Sequence, residues 1–213
     1  MPHIFTSLAA SGMDTPTAYR LLCGVVTPRP IAWITSIDEN GVVNAAPFSS
    51  YNYVAHSPPM LAVNIGSRGG KLKDTARNIE RSREFVVNVA TRQNMELMHQ
   101  TSAEFGPGES ETTALGIALL PSQRVQPPRI AIAPVQMECR LQQVVHLGQL
   151  NTLYIGEVVM FHLADEIYDG HQVDSIKMQP ISRLGGPYYA TLGEIFKRPA
   201  LQTPPINQPP AQD

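Results

Sequence analysis

Proline sets the first limit on what this chain can fold into. Nineteen prolines are spread over 213 residues. Each lacks a backbone donor and fixes φ, so it ends a helix or retreats to the edge of a sheet. Pro28, Pro30, Pro47, Pro58 and Pro59 bound the apolar runs of the N-terminal third, which therefore cannot be long helices. Residues 31–37 read as a strand, with Ile31, Trp33, Thr35 and Ile37 on one face and Ala32, Ile34 and Ser36 on the other. Asp38-Glu39-Asn40-Gly41 follows as a tight turn, since Asn and Gly tolerate positive φ. Residues 42–46 then return as the second strand of a hairpin.

Residues 60–65 and 85–90 are rich in branched side chains and read as two further strands. Between them, residues 73–82 hold no proline or glycine and predict a helix, with Asp74 as N-cap and Ala76 and Ile79 on its apolar edge. A second helix is expected over 92–101, and 105–122 reads as a long loop. Val135, Met137, Cys139 and Leu141 alternate with Gln136, Glu138, Arg140 and Gln142, the pattern of a half-buried strand. The alternation breaks at Gln143-Val144, which marks a bulge. Residues 153–163 form another strand after a turn at 148–151. Many short strands and few helices imply a mainly β fold, a barrel with helical decorations. One domain is expected over 1–198, followed by a proline-rich, polar tail over 199–213 that reads as an extended or disordered arm.

Composition narrows the function. Hydrophobic residues make up 43% and charged residues 16%, so burial can offset the entropy of ordering. The net charge of -2 argues against nucleic acid, whose binding needs a clustered basic surface. Cys23 and Cys139 lie too far apart in sequence for a thiol motif, and none of the six histidines stands at metal-ligand spacing, so no metal is expected. The start shows no basic region followed by an apolar run, and no apolar stretch reaches the roughly 20 residues that span a bilayer. The chain is expected to be cytoplasmic, without a membrane partner. No Walker loop, Gly-x-Ser-x-Gly elbow or dinucleotide glycine fingerprint occurs, and no catalytic residue is assigned.

Two segments could hold a ligand. Residues 67–75, Ser-Arg-Gly-Gly-Lys-Leu-Lys-Asp-Thr, form a basic loop that enters a helix. A helix start offers unpaired N–H groups to a phosphate, and Arg68, Lys73 and the Thr75 hydroxyl add to it. Asp74 works against an anion, and an ordinary solvated loop with a capped helix fits these residues equally well. Residues 44–52, Asn-Ala-Ala-Pro-Phe-Ser-Ser-Tyr-Asn, are small enough to let a planar ligand approach the backbone. On these residues alone, a polar turn anchored in the core by Phe48 and Tyr51 is the favoured reading.

The order of these pieces is more specific than any one of them. Thr27-Pro28-Arg29-Pro30-Ile31-Ala32-Trp33-Ile34-Thr35-Ser36 precedes the segment at 44–52, then come Ser57-Pro58-Pro59-Met60, Lys73-Asp74-Thr75 with Asn78-Ile79, and Glu84-Phe85-Val86-Val87-Asn88. Ile181-Ser182-Arg183-Leu184-Gly185-Gly186 and Tyr188-Tyr189 close the series. Over about residues 17–190 the chain resembles the flavin reductase-like family of FMN-binding split-barrel proteins.

The resemblance implies an FMN-binding split β-barrel of Greek-key type, with six strands, that forms a homodimer with FMN near the subunit interface. It implies that Thr35 and Ser36 line the isoalloxazine, and that Phe48, Ser49, Ser50, Tyr51 and Asn52 contact the ring, ribityl chain and phosphate. Arg68, Lys73 and Thr75 would complete the phosphate site, with Asp74 capping the helix. Arg29, Pro30 and Trp33 would shape the pocket wall, and Arg183 and Tyr188 the ring side or substrate pocket. The activity implied is an NAD(P)H-dependent flavin reductase passing hydride to flavin N5, with a possible partner oxygenase. An electron-transfer flavoprotein, a flavin-dependent oxygenase and a binding module with a degenerate site are the alternatives.

Overall fold

The computed structural model describes residues 3–106 and 108–199. In chain order it holds α1 (Thr15–Val25), β1 (Arg29–Pro30), β2 (Ala32–Ile37), β3 (Val43–Phe48), β4 (Tyr51–His56) and β5 (Pro59–Gly66). Then come α2 (Asp74–Ser82), β6 (Glu84–Val89), α3 (Met95–Gln100), α4 (Glu111–Ala114), β7 (Leu119–Leu120) and β8 (Arg129–Ile130). The long strands β9 (Val135–Leu147) and β10 (Asn151–Leu163) follow, and α5 (Ser175–Met178), β11 (Ser182–Arg183) and β12 (Tyr189–Ala190) complete the chain. The proline-rich tail lies, beyond Pro199, outside the described residues.

The main sheet is antiparallel, in the order β3-β2-β6-β9-β10-β5-β4. Its two edge strands are the two halves of one bent strand. Only Ser49 and Ser50 separate β3, which pairs with β2, from β4, which pairs with β5. The Ser50 carbonyl accepts from the Asn64 N–H at 2.8 Å and holds the corner. Counted this way, six strands close on themselves as a split barrel. Two antiparallel runs, β2-β3/β4-β5 and β6-β9-β10, are joined by one crossover through α2, a connection of Greek-key type. Pro47 sits opposite Trp33 in the β2–β3 register, on a strand whose outer edge needs no ladder donor.

Ala32, Ile34, Val63, Phe85, Val87, Cys139 and Tyr154 fill the barrel. A second cluster around Ile31, Trp33, Met98 and Ile130 packs on the outside, under loops and α3. Both faces of β2 are therefore buried. Gly156 lets the barrel close tightly: a Cβ there would lie 2.5 Å from the Phe85 ring.

Several expectations need correction. The strand at residues 135–141 is not half-buried, because Gln136 and Glu138 are inside as well. Their polar groups are satisfied there: Glu138 accepts the backbone N–H groups of Gln123, Arg124 and Val125 and meets His162 Nε2 at 2.6 Å. The register slips at Gln142, one residue before the bulge read from the sequence. The second helix is confined to α3, since Asn94 accepts the Thr91 N–H in a preceding turn. The long loop contains α4 and β7; Ser110 donates to the Val43 carbonyl and Glu111 accepts the Ala45 N–H, so α4 satisfies the open edge of β3. Helix α1 was not foreseen, although Asp14 caps it and a proline occupies its first turn. It buries none of its side chains within this chain.

Candidate functional site

A groove opens at the start of α2, with a volume of about 470 Å³. The connection from β5 brings Arg68, Lys71 and Lys73 to it through a tight turn at Gly69 and Gly70, both at positive φ. No side chain caps α2, so its first N–H groups remain free for an acceptor. Thr75 is buried and lines the groove; its hydroxyl accepts from Asn44 Nδ2 at 2.8 Å, leaving its own proton to donate. Burial, with Arg68 nearby, holds the Lys73 ammonium below the usual lysine range, and Lys73 Nζ lies 5.7 Å from the centre of the Phe48 ring.

Three carboxylates also border this groove, and two are engaged with cations. Asp74 is the first residue of α2 and pairs with Arg77, so it does not cap the helix as expected. Glu104 pairs with Arg68 at 3.0 Å across the mouth. Burial pushes the Glu111 carboxyl up, against the opposing pull of the Ala45 N–H that it accepts. Lys71 and Lys73 face the groove without an ion pair among the described residues. An uncapped helix start, two free ammonium groups and a donor hydroxyl fit a phosphate.

Beyond Pro47, Phe48 and Ser102, which the two spaces share, lies a cavity of about 590 Å³. Arg29 and Arg183 line it from opposite positions in the β1–β11 register. Arg20, Tyr19 and Cys23 of α1, with Tyr189 of β12, complete its polar wall.

The sequence-derived residues divide between these spaces and the interior. Phe48 borders both cavities, Ser49 and Arg183 the second, and Arg68, Lys73, Asp74 and Thr75 the first. Thr35 and Ser36, expected beside the ring, are fully buried and line neither. The Thr35 hydroxyl donates to the Pro128 carbonyl at 2.5 Å, and Ser36 Oγ accepts from Asn78 Nδ2 at 3.1 Å. Ser50, at the β3–β4 corner, and Asn52 of β4 are exposed and line neither cavity, and Tyr51 packs against the core. Trp33, expected in the pocket wall, is fully buried and lines neither space; its indole N–H donates at 3.0 Å to Thr101, which borders the groove. Arg29 lines the second cavity, whereas Pro30 beside it is exposed and lines neither. Tyr188 is exposed, and Tyr189 takes the cavity position expected of it.

Residues 25–177 match the model of the flavin reductase like domain. The chain belongs to this family. The match spans the bent strand, the basic loop and α2, and so includes the whole phosphate-like corner. Among its relatives, YwrF of Bacillus subtilis is 40% identical over 201 residues, covering 91% of this chain and 97% of its own. Nitrilotriacetate monooxygenase component B from Bacillus cereus is 34% identical, with a TM-score of 0.90 over 92% of this chain and 100% of that one. The 2-nitrobenzoate 2-nitroreductase NbaA of Pseudomonas fluorescens is also 34% identical, with a TM-score of 0.82 over 97% of this chain and 100% of that one. Asn44, Lys71, Glu104, Glu111, Arg20 and Tyr189 line these two spaces, although the sequence gives none of them a site role. Glu111 sits in what reads as a loop, Glu104 just before it, and Arg20 on a helix that carries no apolar stripe facing a core.

Proposed function

We propose that this protein is an FMN-binding oxidoreductase, an NAD(P)H-dependent flavin reductase that receives hydride at the flavin N5. The observation that carries the flavin reading is the uncapped start of α2 facing Lys71, Lys73 and the Thr75 hydroxyl in one groove. In this reading the 5′-phosphate rests on those groups, and Asn44 orients the Thr75 hydroxyl toward it. Phe48 and Pro47 offer the apolar surface that continues from the groove into the second cavity. A bound flavin supplies the hydride chemistry itself. The residues present bind, orient and exclude water, which accounts for a site without an acid–base pair.

The B. cereus protein is component B of a monooxygenase by name, and this supports a separate partner oxygenase as the acceptor of reducing equivalents. Anaerobic mixing with FMN and NADH or NADPH is expected to bleach the flavin absorbance. An unchanged spectrum with both nucleotides would overturn the reductase while leaving FMN binding to be read by titration.

The same reading includes a homodimer. Tyr19, Leu22 and Val25 of α1 and Tyr53 and Val54 of β4 are large apolar or aromatic side chains left exposed among the described residues, and such surface favours burial against a second copy. Light scattering is expected to give twice the chain mass, and a monomer at micromolar concentration would remove this part of the reading.

A further inference from the structure

The cavity beside the groove carries an uncompensated charge. Arg20, Arg29 and Arg183 line it and no carboxylate does. Among the described residues none of the three makes an ion pair. Arg29 is only 9% exposed. Its guanidinium donates to the carbonyls of Cys23 at 2.6 Å, Val26 at 2.7 Å and Leu184 at 3.0 Å. Those bonds satisfy three of its five N–H groups and leave its charge without a carboxylate partner among the described residues, an arrangement that burial penalises unless an anion supplies the balance.

Arg183 is held in place for such an anion. Its Nη1 donates to the Tyr189 hydroxyl at 2.6 Å, its Nη2 to the Gly186 carbonyl at 2.8 Å, and its guanidinium carbon lies 4.6 Å from the centre of the Tyr189 ring. Tyr189 is fixed in turn by His99, whose Nδ1 lies 2.9 Å from the hydroxyl. Stacking and two bonds keep the guanidinium plane from collapsing onto a neighbour. Arg20 is different: among the described residues its side chain bonds only to Thr17, at 2.8 Å, and it is exposed. Ile31, Phe48 and Met98 supply apolar lining to the same cavity.

We propose that this cavity is a binding site for a planar aromatic carboxylate, the carboxylate on Arg183 and Arg20 in the field of Arg29, and the ring against Phe48. The site's place beside the flavin rests on the reading of the groove above; its preference for an organic anion rests on the three arginines alone. The acid occupies the substrate side of the shared Pro47–Phe48 wall.

Calorimetric titration of the full chain with benzoate, benzamide and inorganic pyrophosphate tests it, with an FMN fluorescence titration run in parallel. Benzoate is expected to bind at least about tenfold tighter than benzamide, the ordinary worth of a charge-assisted bidentate contact. Arg183→Gln is expected to remove most of that difference, and Arg20→Gln to reduce it severalfold. Arg20 is exposed and holds no other element, so its variant decides the matter if Arg183→Gln does not fold. Equal binding of benzoate and benzamide, or no benzoate binding, overturns the proposal. Binding of pyrophosphate in place of benzoate also overturns it and assigns the cations to a dinucleotide. Loss of FMN binding with benzoate binding intact overturns the groove reading and leaves the carboxylate site standing.

Discussion

The barrel interior and the mouth of α2 treat polar groups in opposite ways. Inside, the buried polar side chains of β2, β6 and β9 have partners. Asn88 donates to the Trp33 carbonyl and to Thr35 and accepts the Ile130 N–H, while Glu138 gathers three backbone N–H groups and His162. At the mouth of α2, the helix start has no side-chain cap and Lys71 and Lys73 lack carboxylate partners among the described residues. Closed networks hold a fold, and open ones await a ligand. The buried Thr35 and Ser36 belong to the first kind and the buried Thr75 to the second, although all three are hydroxyl residues with almost no exposure.

The strongest way to break this contrast is Glu138→Ala. It strips three N–H groups of their acceptor and leaves His162 without its partner, and the expected cost is about 3–5 kcal/mol, read as a fall in the unfolding midpoint. A loss too small to measure would mean that the interior network is not what holds the 121–128 segment. The same group sets a pH dependence. Burial pushes the Glu138 carboxyl up, but the Gln123 N–H, His162 and the Arg124 N–H outweigh it and hold the group below the usual glutamate range. Its folded value is thus depressed, so its contribution is complete above the unfolded value and is lost as pH falls through the folded one. Glu138→Gln is expected to flatten the acid limb of the stability curve in that window.

A smaller effect, about 1–3 kcal/mol, is expected from Thr35→Val, which removes the donor to the Pro128 carbonyl. FMN affinity should stay within about twofold, because the hydroxyl faces neither cavity. A large loss of FMN binding at unchanged stability would move Thr35 from the structural set to the ligand set.

Lys73→Ala sharpens the other side of the contrast. Stability is expected to change little, while FMN binding weakens by about tenfold and riboflavin binding does not, since only FMN carries the phosphate. Equal losses for both flavins would detach Lys73 from the phosphate. Because burial holds the Lys73 ammonium below the usual lysine range, the FMN preference of the wild-type chain should fade at a lower alkaline pH than for an exposed lysine.

Local signals settled much of this protein in advance. Proline spacing excluded long helices, the Asn-Gly turn placed the first hairpin, and the short helix between two branched runs became α2 within one residue. The ordered motifs pointed to the family that residues 25–177 match. What local patterns could not decide was which polar residues face a ligand. Alternation assigns a face to each residue of a strand, but here both faces of β2 are covered, so facing outward did not mean facing a site. Nor could sequence show that Ser49 and Ser50 bend one strand across both edges of the sheet. The meeting of Arg20, Arg29 and Arg183 also arose only on folding, when α1, β1 and β11 came together from distant parts of the chain. Hydrogen-bond satisfaction and charge balance are properties of neighbours in space, and only the tertiary structure supplies those neighbours.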